Sequence, residues 1–171
     1  KMEQAKNAAS YIVQNLNEGD KFNIIDFDDV ITSFRPNHVE FNSSNMNQAL
    51  GYISAIYARN LTNISGAFDV AVPQFSTAND STANIIIFLT DGQPTAGITN
   101  IEQLITHINQ LIQTTETNIL LFSFGIGLDV NQQLLSQIST SNNGFATFLL
   151  SEELEEVLTN FYQQIRNPVL L

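Results

Sequence analysis

Ala83-Asn84-Ile85-Ile86-Ile87-Phe88-Leu89-Thr90-Asp91-Gly92 is the stretch whose reading decides the fold. Successive residues of a strand point to opposite faces, so the unbroken apolar run Ile85-Ile86-Ile87-Phe88-Leu89 makes both faces apolar. Such a strand is buried on both sides, as in a parallel sheet between layers of helix. Asp91-Gly92 then closes it. Asp-Gly is a good turn in its own right, yet the carboxyl end of a strand in an open α/β sheet is also where ligands gather. Both readings of Asp91 stand on this signal.

Working outward, the flanking segments alternate between helical and strand periods. Met2, Ala5, Ala9, Ile12, Val13 and Leu16 recur at steps of three and four, one apolar helix face, and Gly19 is placed to take a left-handed conformation after it. Residues 21–27 and 30–34 read as two strands joined by a polar Asp28-Asp29 turn, a hairpin with the second strand at an antiparallel edge. Residues 44–58 are helical through Met46, Leu50, Ile53 and Ile56. A further helix carries Ile64, Ala67, Phe68 and Ala71 and is stopped near Pro73. Residues 76–81 are a polar loop. Thr99-Asn100-Ile101-Glu102 reads as a capping box before the stripe Leu104, Ile105, Ile108, Leu111 and Ile112. Residues 118–124 form a strand running into Gly125-Ile126-Gly127, Asp129 caps a short helix with Leu134, Leu135 and Ile138, and 145–149 is a last strand. Ser151 opens a closing helix whose buried face is Leu154, Val157, Leu158, Phe161 and Ile165. This is a doubly wound α/β sheet, mostly parallel with an antiparallel edge strand and helices on both faces, in one domain over 1–171.

Composition narrows the function. Seventeen acidic residues against six basic ones give a net charge of −11, a surface that repels phosphate backbones and argues against nucleic-acid partners. The absence of Cys removes disulfides, thiolate metal sites and cysteine nucleophiles. No apolar run approaches the roughly 20 residues of a membrane-spanning helix, so no membrane insertion is expected. His38 and His107 are the two histidines. His107 falls within a helical stripe, a partly packed or surface position. No Ser-His-Asp or Gly-x-Ser-x-Gly arrangement can be drawn. Gly125 and Gly127 lack the third glycine of a dinucleotide loop. Asp28 and Asp29 read as a solvated turn. Sequons at Asn42, Asn60, Asn63 and Asn79 matter for a chain secreted by a eukaryote. Thr62, just ahead of a helix, reads as its cap.

Six segments in this order resemble the von Willebrand factor A family, and within it the inter-alpha-trypsin inhibitor heavy chains and their bacterial relatives. They are Lys1-Met2-Glu3-Gln4-Ala5, Leu61-Thr62-Asn63-Ile64, Ile87-Phe88-Leu89-Thr90-Asp91-Gly92, Phe124-Gly125-Ile126-Gly127, Asn143-Gly144-Phe145-Ala146 and Arg166-Asn167-Pro168-Val169-Leu170. The resemblance implies a metal ion-dependent adhesion site built from Asp-x-Ser-x-Ser, a Thr and an Asp. Carried onto this chain, the Thr is Thr62 and the Asp is Asp91, with Asn63, Gly92 and Gly125 shaping the rim. Hydroxyl and carboxylate oxygens suit a hard ion such as Mg²⁺ or Mn²⁺.

Asp-x-Ser-x-Ser does not occur in the chain. The resemblance places it, with the first central strand, immediately before Lys1, so the chain is expected to be an N-terminally incomplete domain with an empty or weakly occupied metal position. Without that strand, the strand at 21–27 and the one at 83–90 would close on each other or borrow a strand from a neighbouring chain, giving a strand-exchanged homo-oligomer. The implied function is non-enzymatic: a protein-interaction or adhesion module of a larger extracytoplasmic protein, engaging an acidic group on a protein ligand through the cation. The alternatives are a structural spacer with a vestigial metal site and a metal-dependent phosphoester hydrolase using Asp91.

Overall fold

The computed structural model describes residues 2–75 and 83–166. The expected loop at 76–81, the sequon at Asn79 and the chain end after Arg166 fall outside these residues. The described chain divides into two compact units.

One unit holds α1 (Met2–Gln14), β1 (Lys21–Phe22), β4 (Val39–Glu40), α2 (Ser43–Ala55) and α6 (Leu154–Arg166). Its core is Val13, Phe22, Phe34, Ala49 and Ile53, with the Phe22 and Phe34 rings stacked at 6.0 Å and Tyr52 tilted against Phe34 at 5.7 Å. Gly19 has φ +92°, the left-handed turn that releases the chain from α1. Lys6 Nζ donates to the carbonyls of Ser54 (2.8 Å) and Ile56 (3.0 Å), closing the C-terminal end of α2 with a cation where the helix dipole is negative. Along α6, Leu154, Leu158 and Phe161 are buried as the stripe requires, joined by Tyr162.

The strand expected at 21–27 is interrupted, and the interruption has a chemical cause. β1 pairs antiparallel with β4, Lys21 opposite Glu40, while β2 (Ile25–Phe27) pairs with β3 (Ile31–Ser33). Between them the Asn23 side chain substitutes for a strand: Oδ1 accepts from Arg35 N–H (3.0 Å) and Nδ2 donates to Arg35 C=O (2.7 Å). A side-chain amide carries the same donor and acceptor as a peptide unit, so it satisfies Arg35 while the ladder breaks.

The second unit holds β2 and its hairpin turn, α3 (Ile64–Ala71) with a 3₁₀ turn at Val72–Phe75, β5 (Asn84–Thr90), α4 (Ile101–Thr114), β6 (Ile119–Ile126), α5 (Gln132–Ser141) and β7 (Ala146–Leu149). The sheet is parallel in the order β5-β6-β7, with Asn84 opposite Ile119, Thr90 opposite Gly125 and Ile126 opposite Leu149. One core cluster joins Ile64 and Phe68 of α3, Leu104 and Ile108 of α4, and Leu134, Leu135 and Ile138 of α5 to Phe88, Ile119 and Leu121 of the sheet. A parallel sheet crossed by helices is the Rossmann-like α/β class that the periodicity indicates.

The doubly buried strand is β6, whose residues Leu121 to Ile126 are all buried, and not β5, in which Ile85, Ile86, Ile87 and Leu89 keep partial exposure. The reason is position: among the described residues β6 has a neighbour on each side and β5 has β6 alone. The β2–β3 hairpin does not join β5 by backbone hydrogen bonds in the described sheets, but the Phe27 and Phe88 rings meet at 5.7 Å.

Two details fix the sheet. Ser139 and Ser123, both fully buried, satisfy each other at 2.7 Å between α5 and β6. A Cβ on Gly144 would stand 1.8 Å from the Leu121 carbonyl oxygen, so the entry to β7 passes against backbone that cannot yield. Gly144→Ala is expected to destabilise the chain by about 3 kcal/mol or more. Urea unfolding followed by circular dichroism checks this, and a loss below 1 kcal/mol would contradict the packing described.

Candidate metal centre

The loops that matter leave the carboxyl ends of β2, β5 and β6 and the start of α3. Five hydrogen bonds tie them together. The Asp28 carbonyl accepts from Asn63 N–H at 2.9 Å. The Thr62 carbonyl accepts from Thr95 N–H (2.9 Å) and Ala96 N–H (3.2 Å). Thr62 N–H in turn donates to Thr95 Oγ1 at 2.8 Å. Gln93 Nε2 donates to the Asp129 carbonyl at 3.0 Å, reaching the loop after β6.

Thr62 is therefore held through its main chain, and its hydroxyl is not spent on a cap. The residue that caps α3 is Asn63, whose Oδ1 accepts from Gly66 N–H at 2.9 Å and from the Ser65 hydroxyl at 3.2 Å. The Thr62 hydroxyl oxygen stands 3.9 Å from where a Cβ on Gly92 would be, which brings it beside the Asp91-Gly92 turn. Asp91 is exposed and Thr62 half-buried. Gly92 accordingly lines this corner, whereas Gly125 is interior: a Cβ there would meet Phe148 at 2.9 Å and Leu135 and Val130 at 3.0 Å. Sequence reasoning missed Gly97. It has φ +66°, and a Cβ would stand 2.2 Å from Asn63 Oδ1 and 2.4 Å from Ser65 Oγ, so only glycine lets the loop after β5 cross the start of α3.

Asp28 is not a solvated turn residue. It is 6 % exposed, and its Oδ2 meets Arg59 Nε at 2.9 Å while Oδ1 accepts from Val30 N–H at 2.8 Å. Burial alone would raise its carboxyl, but hydrogen bonds from Val30 and Asp29 and the Arg59 charge outweigh it, and the net effect is a lowering. Two residues back on the same strand face, Asp26 is raised, first by burial and then by the charge of Asp28, with Arg59 offsetting part. Asp28 thus carries the pairing and Asp26 the repulsion. Of the histidines, His107 Nε2 meets Asp69 Oδ1 at 2.6 Å between α4 and α3, and burial with the charge of Lys21 lowers His38.

The donor types at Thr62 and Asp91 suit Mg²⁺ or Mn²⁺; their number does not close a site. One hydroxyl and one carboxylate leave most of an octahedron to water, and Mg²⁺ gives up its waters reluctantly. Among the described residues no three His, Asp or Glu side chains group as metal ligands.

A carboxyl raised in the folded state takes its proton more readily there, so ionised Asp26 subtracts from stability above its folded pKa, and the deficit disappears as pH falls. Asp26→Asn is expected to unfold at a higher temperature than the parent chain near pH 7, with the gain vanishing near pH 3. Thermal unfolding at the two pH values checks it; a less stable variant at neutral pH contradicts it.

Comparison with known proteins identifies the family and the fold. The profile of the von Willebrand factor type A domain matches residues 1–148. Inter-alpha-trypsin inhibitor heavy chain H4 of Homo sapiens is 30 % identical over 177 residues, covering 99 % of this chain and 19 % of that protein. Heavy chain H2 of Mus musculus is likewise 30 % identical, over 99 % of this chain and 18 % of its own length. The chain thus spans about a fifth of the curated relatives it matches. Among solved structures, a von Willebrand factor type A protein from Catenulispora acidiphila superposes with a TM-score of 0.83 at 20 % identity, covering 97 % of this chain and 38 % of that one. Proximal thread matrix protein 1 of the mussel byssus, with a zinc-occupied MIDAS motif, gives 0.69 at 18 % identity, covering 96 % of this chain and 43 % of that one. No helix among the described residues is long and apolar enough to cross a membrane. By profile, by relatives and by fold, this chain belongs to the von Willebrand factor type A domain family.

Proposed function

We propose that the chain is a non-enzymatic protein-interaction module that engages an acidic group on a partner protein through a divalent cation, Mg²⁺ or Mn²⁺. Thr62 supplies a hydroxyl ligand and Asp91 a carboxylate, direct or through water. The observation that carries this reading is the approach of the Thr62 hydroxyl to the Asp91-Gly92 turn, with a free hydroxyl because Asn63 does the capping. A hard cation held by few anionic ligands keeps enough positive charge to take a partner's carboxylate as a further ligand. The zinc-occupied MIDAS motif of the mussel byssus protein, a likeness of fold, lends support, and the inter-alpha-trypsin inhibitor relatives support an extracytoplasmic setting. The short donor set favours one second reading, a structural spacer in which the same corner binds no ion.

Paramagnetic Mn²⁺ separates the two. Titrated into the chain, it is expected to broaden the amide resonances of Thr62, Asp91 and Gly92 first, with a dissociation constant of about 1 mM or weaker. Thr62→Ala and Asp91→Asn should each abolish that pattern. Broadening centred elsewhere, or unchanged in both variants, leaves the spacer.

Arg59 and Asp28 serve this corner as positioning residues, since the ion pair and the Asn63-to-Asp28 hydrogen bond fasten the segment that carries Thr62. Arg59→Ala is expected to cost about 1–3 kcal/mol by leaving a buried carboxylate without its partner. It should also speed hydrogen exchange at the Asn63 amide, with partial rescue in Arg59→Lys. An Asn63 amide that exchanges at the parent rate in Arg59→Ala would refute the positioning role.

A further inference from the structure

The described parallel sheet ends at β7, and nothing in the sequence blunts that end. Phe145-Ala146-Thr147-Phe148-Leu149-Leu150 carries no charge and no proline, the devices by which exposed strand edges escape pairing. Phe145 is 48 % exposed, and Ala146, Thr147 and Phe148 are half-buried. The backbone divides by parity. Ser123 N–H donates to the Phe145 carbonyl (3.0 Å) and Gly127 N–H to the Leu149 carbonyl (2.9 Å), so the odd-numbered residues of β7 turn their main chain toward β6. Ala146 and Phe148 turn theirs outward, and among the described residues no main-chain group bonds to them there. Both ends of this stretch are closed: Gly144 N–H donates to the Ser139 carbonyl at 2.9 Å and Leu150 N–H to Glu153 Oε2 at 3.0 Å.

Pattern and charge identify the occupant. In an antiparallel pairing centred on Thr147, Ala146 of one copy faces Phe148 of another, and each supplies the donor and acceptor that the other needs. Thr147 then stands opposite itself as a non-hydrogen-bonded pair, a favourable cross-strand combination, with Phe145 opposite Leu149. Self-pairing thus satisfies every outward main-chain group of both copies. Residues 130–151 hold no charged side chain. Two chains of net charge −11 therefore meet along this strip without setting carboxylates against each other.

We propose that the chain forms a two-fold symmetric homodimer in which β7 pairs antiparallel with β7 of a second copy about Thr147, so that the β5-β6-β7 sheet of one copy continues into that of the other. Pairing needs no metal ion. It goes beyond the cation-mediated reading, and neither depends on the other. The ladder is short, so the association is weak and reversible.

The test uses the 171-residue chain in EDTA. The chain has no Cys, so Thr147→Cys places one thiol per copy at the two-fold axis. Non-hydrogen-bonded antiparallel partners have Cα atoms about 4.5 Å apart, within reach of a disulfide. In oxidised glutathione Thr147→Cys is expected to cross-link into a dimer, and Ser44→Cys, exposed on α2, is not. Sedimentation equilibrium of the parent chain is expected to show a reversible dimer. Thr147→Glu and Thr147→Lys should each weaken it by about tenfold or more, because like charges then meet at the axis, and a one-to-one mixture of the two variants should restore it. A parent chain that stays monomeric up to ~1 mM, or Ser44→Cys cross-linking as fast as Thr147→Cys, would overturn the proposal. So would a mixture of the folded Glu and Lys variants that associates no more tightly than either alone.

Discussion

The parallel ladder between β5 and β6 is the constraint on which the second unit rests. Seven successive pairs, from Asn84 opposite Ile119 to Thr90 opposite Gly125, fix where both strands end. Because the strands run in the same direction, both chains emerge at the same edge, and Asp91 and Gly127 are delivered there by register alone. The helix that follows each strand must return across the sheet, so α4 and α5 also start from that edge. Buried area then locks the arrangement: Leu104, Ile108, Leu134 and Ile138 are essentially inaccessible to water.

The loops at that edge are held by backbone more than by side chains. Thr62 exchanges main-chain hydrogen bonds with the Thr95 loop, and Asn63 donates to the hairpin turn at Asp28. Side chains assist at Thr95, Gln93 and Asn63, while the Thr62 hydroxyl is left out of the α3 cap, and a loop set on a rigid scaffold is where binding residues are commonly found. Asp28 and Arg59 are the exception, a buried carboxylate paired with an exposed guanidinium, so that removing Arg59 strands the buried charge.

The class of fold was legible because it depends on periodicity. The stripes of α4 and α6 and the apolar run of β5 place each element within a few residues. Local chemistry was less legible. The Asn23 amide that splits the first strand gives no period to read, and β5 looks like a central strand because its side chains are those of one. The same limit applied to the corner: Thr62 and Asp91 could be singled out, but their approach depends on Gly97 and Thr95, whose roles follow from how two distant loops cross. Asp28 read as a turn residue because nothing in sequence ties it to Arg59, 31 positions away.

The clearest systematic miss was asparagine. The caps were sought at Thr62, Thr99 and Asp129; instead α2, α3, α4 and α5 are capped by Asn42, Asn63, Asn100 and Asn131, each accepting from a first-turn amide. The signal was available, since each stands directly before its helical stripe. An amide oxygen holds a helix start as a carboxylate does, but it has no proton to gain. Acidification therefore leaves these four helix starts fastened, and acid acts on this domain through its carboxylates and His38 instead, with Asp28, held below the usual carboxylate range, keeping its grip on Arg59 into stronger acid than an ordinary carboxylate would.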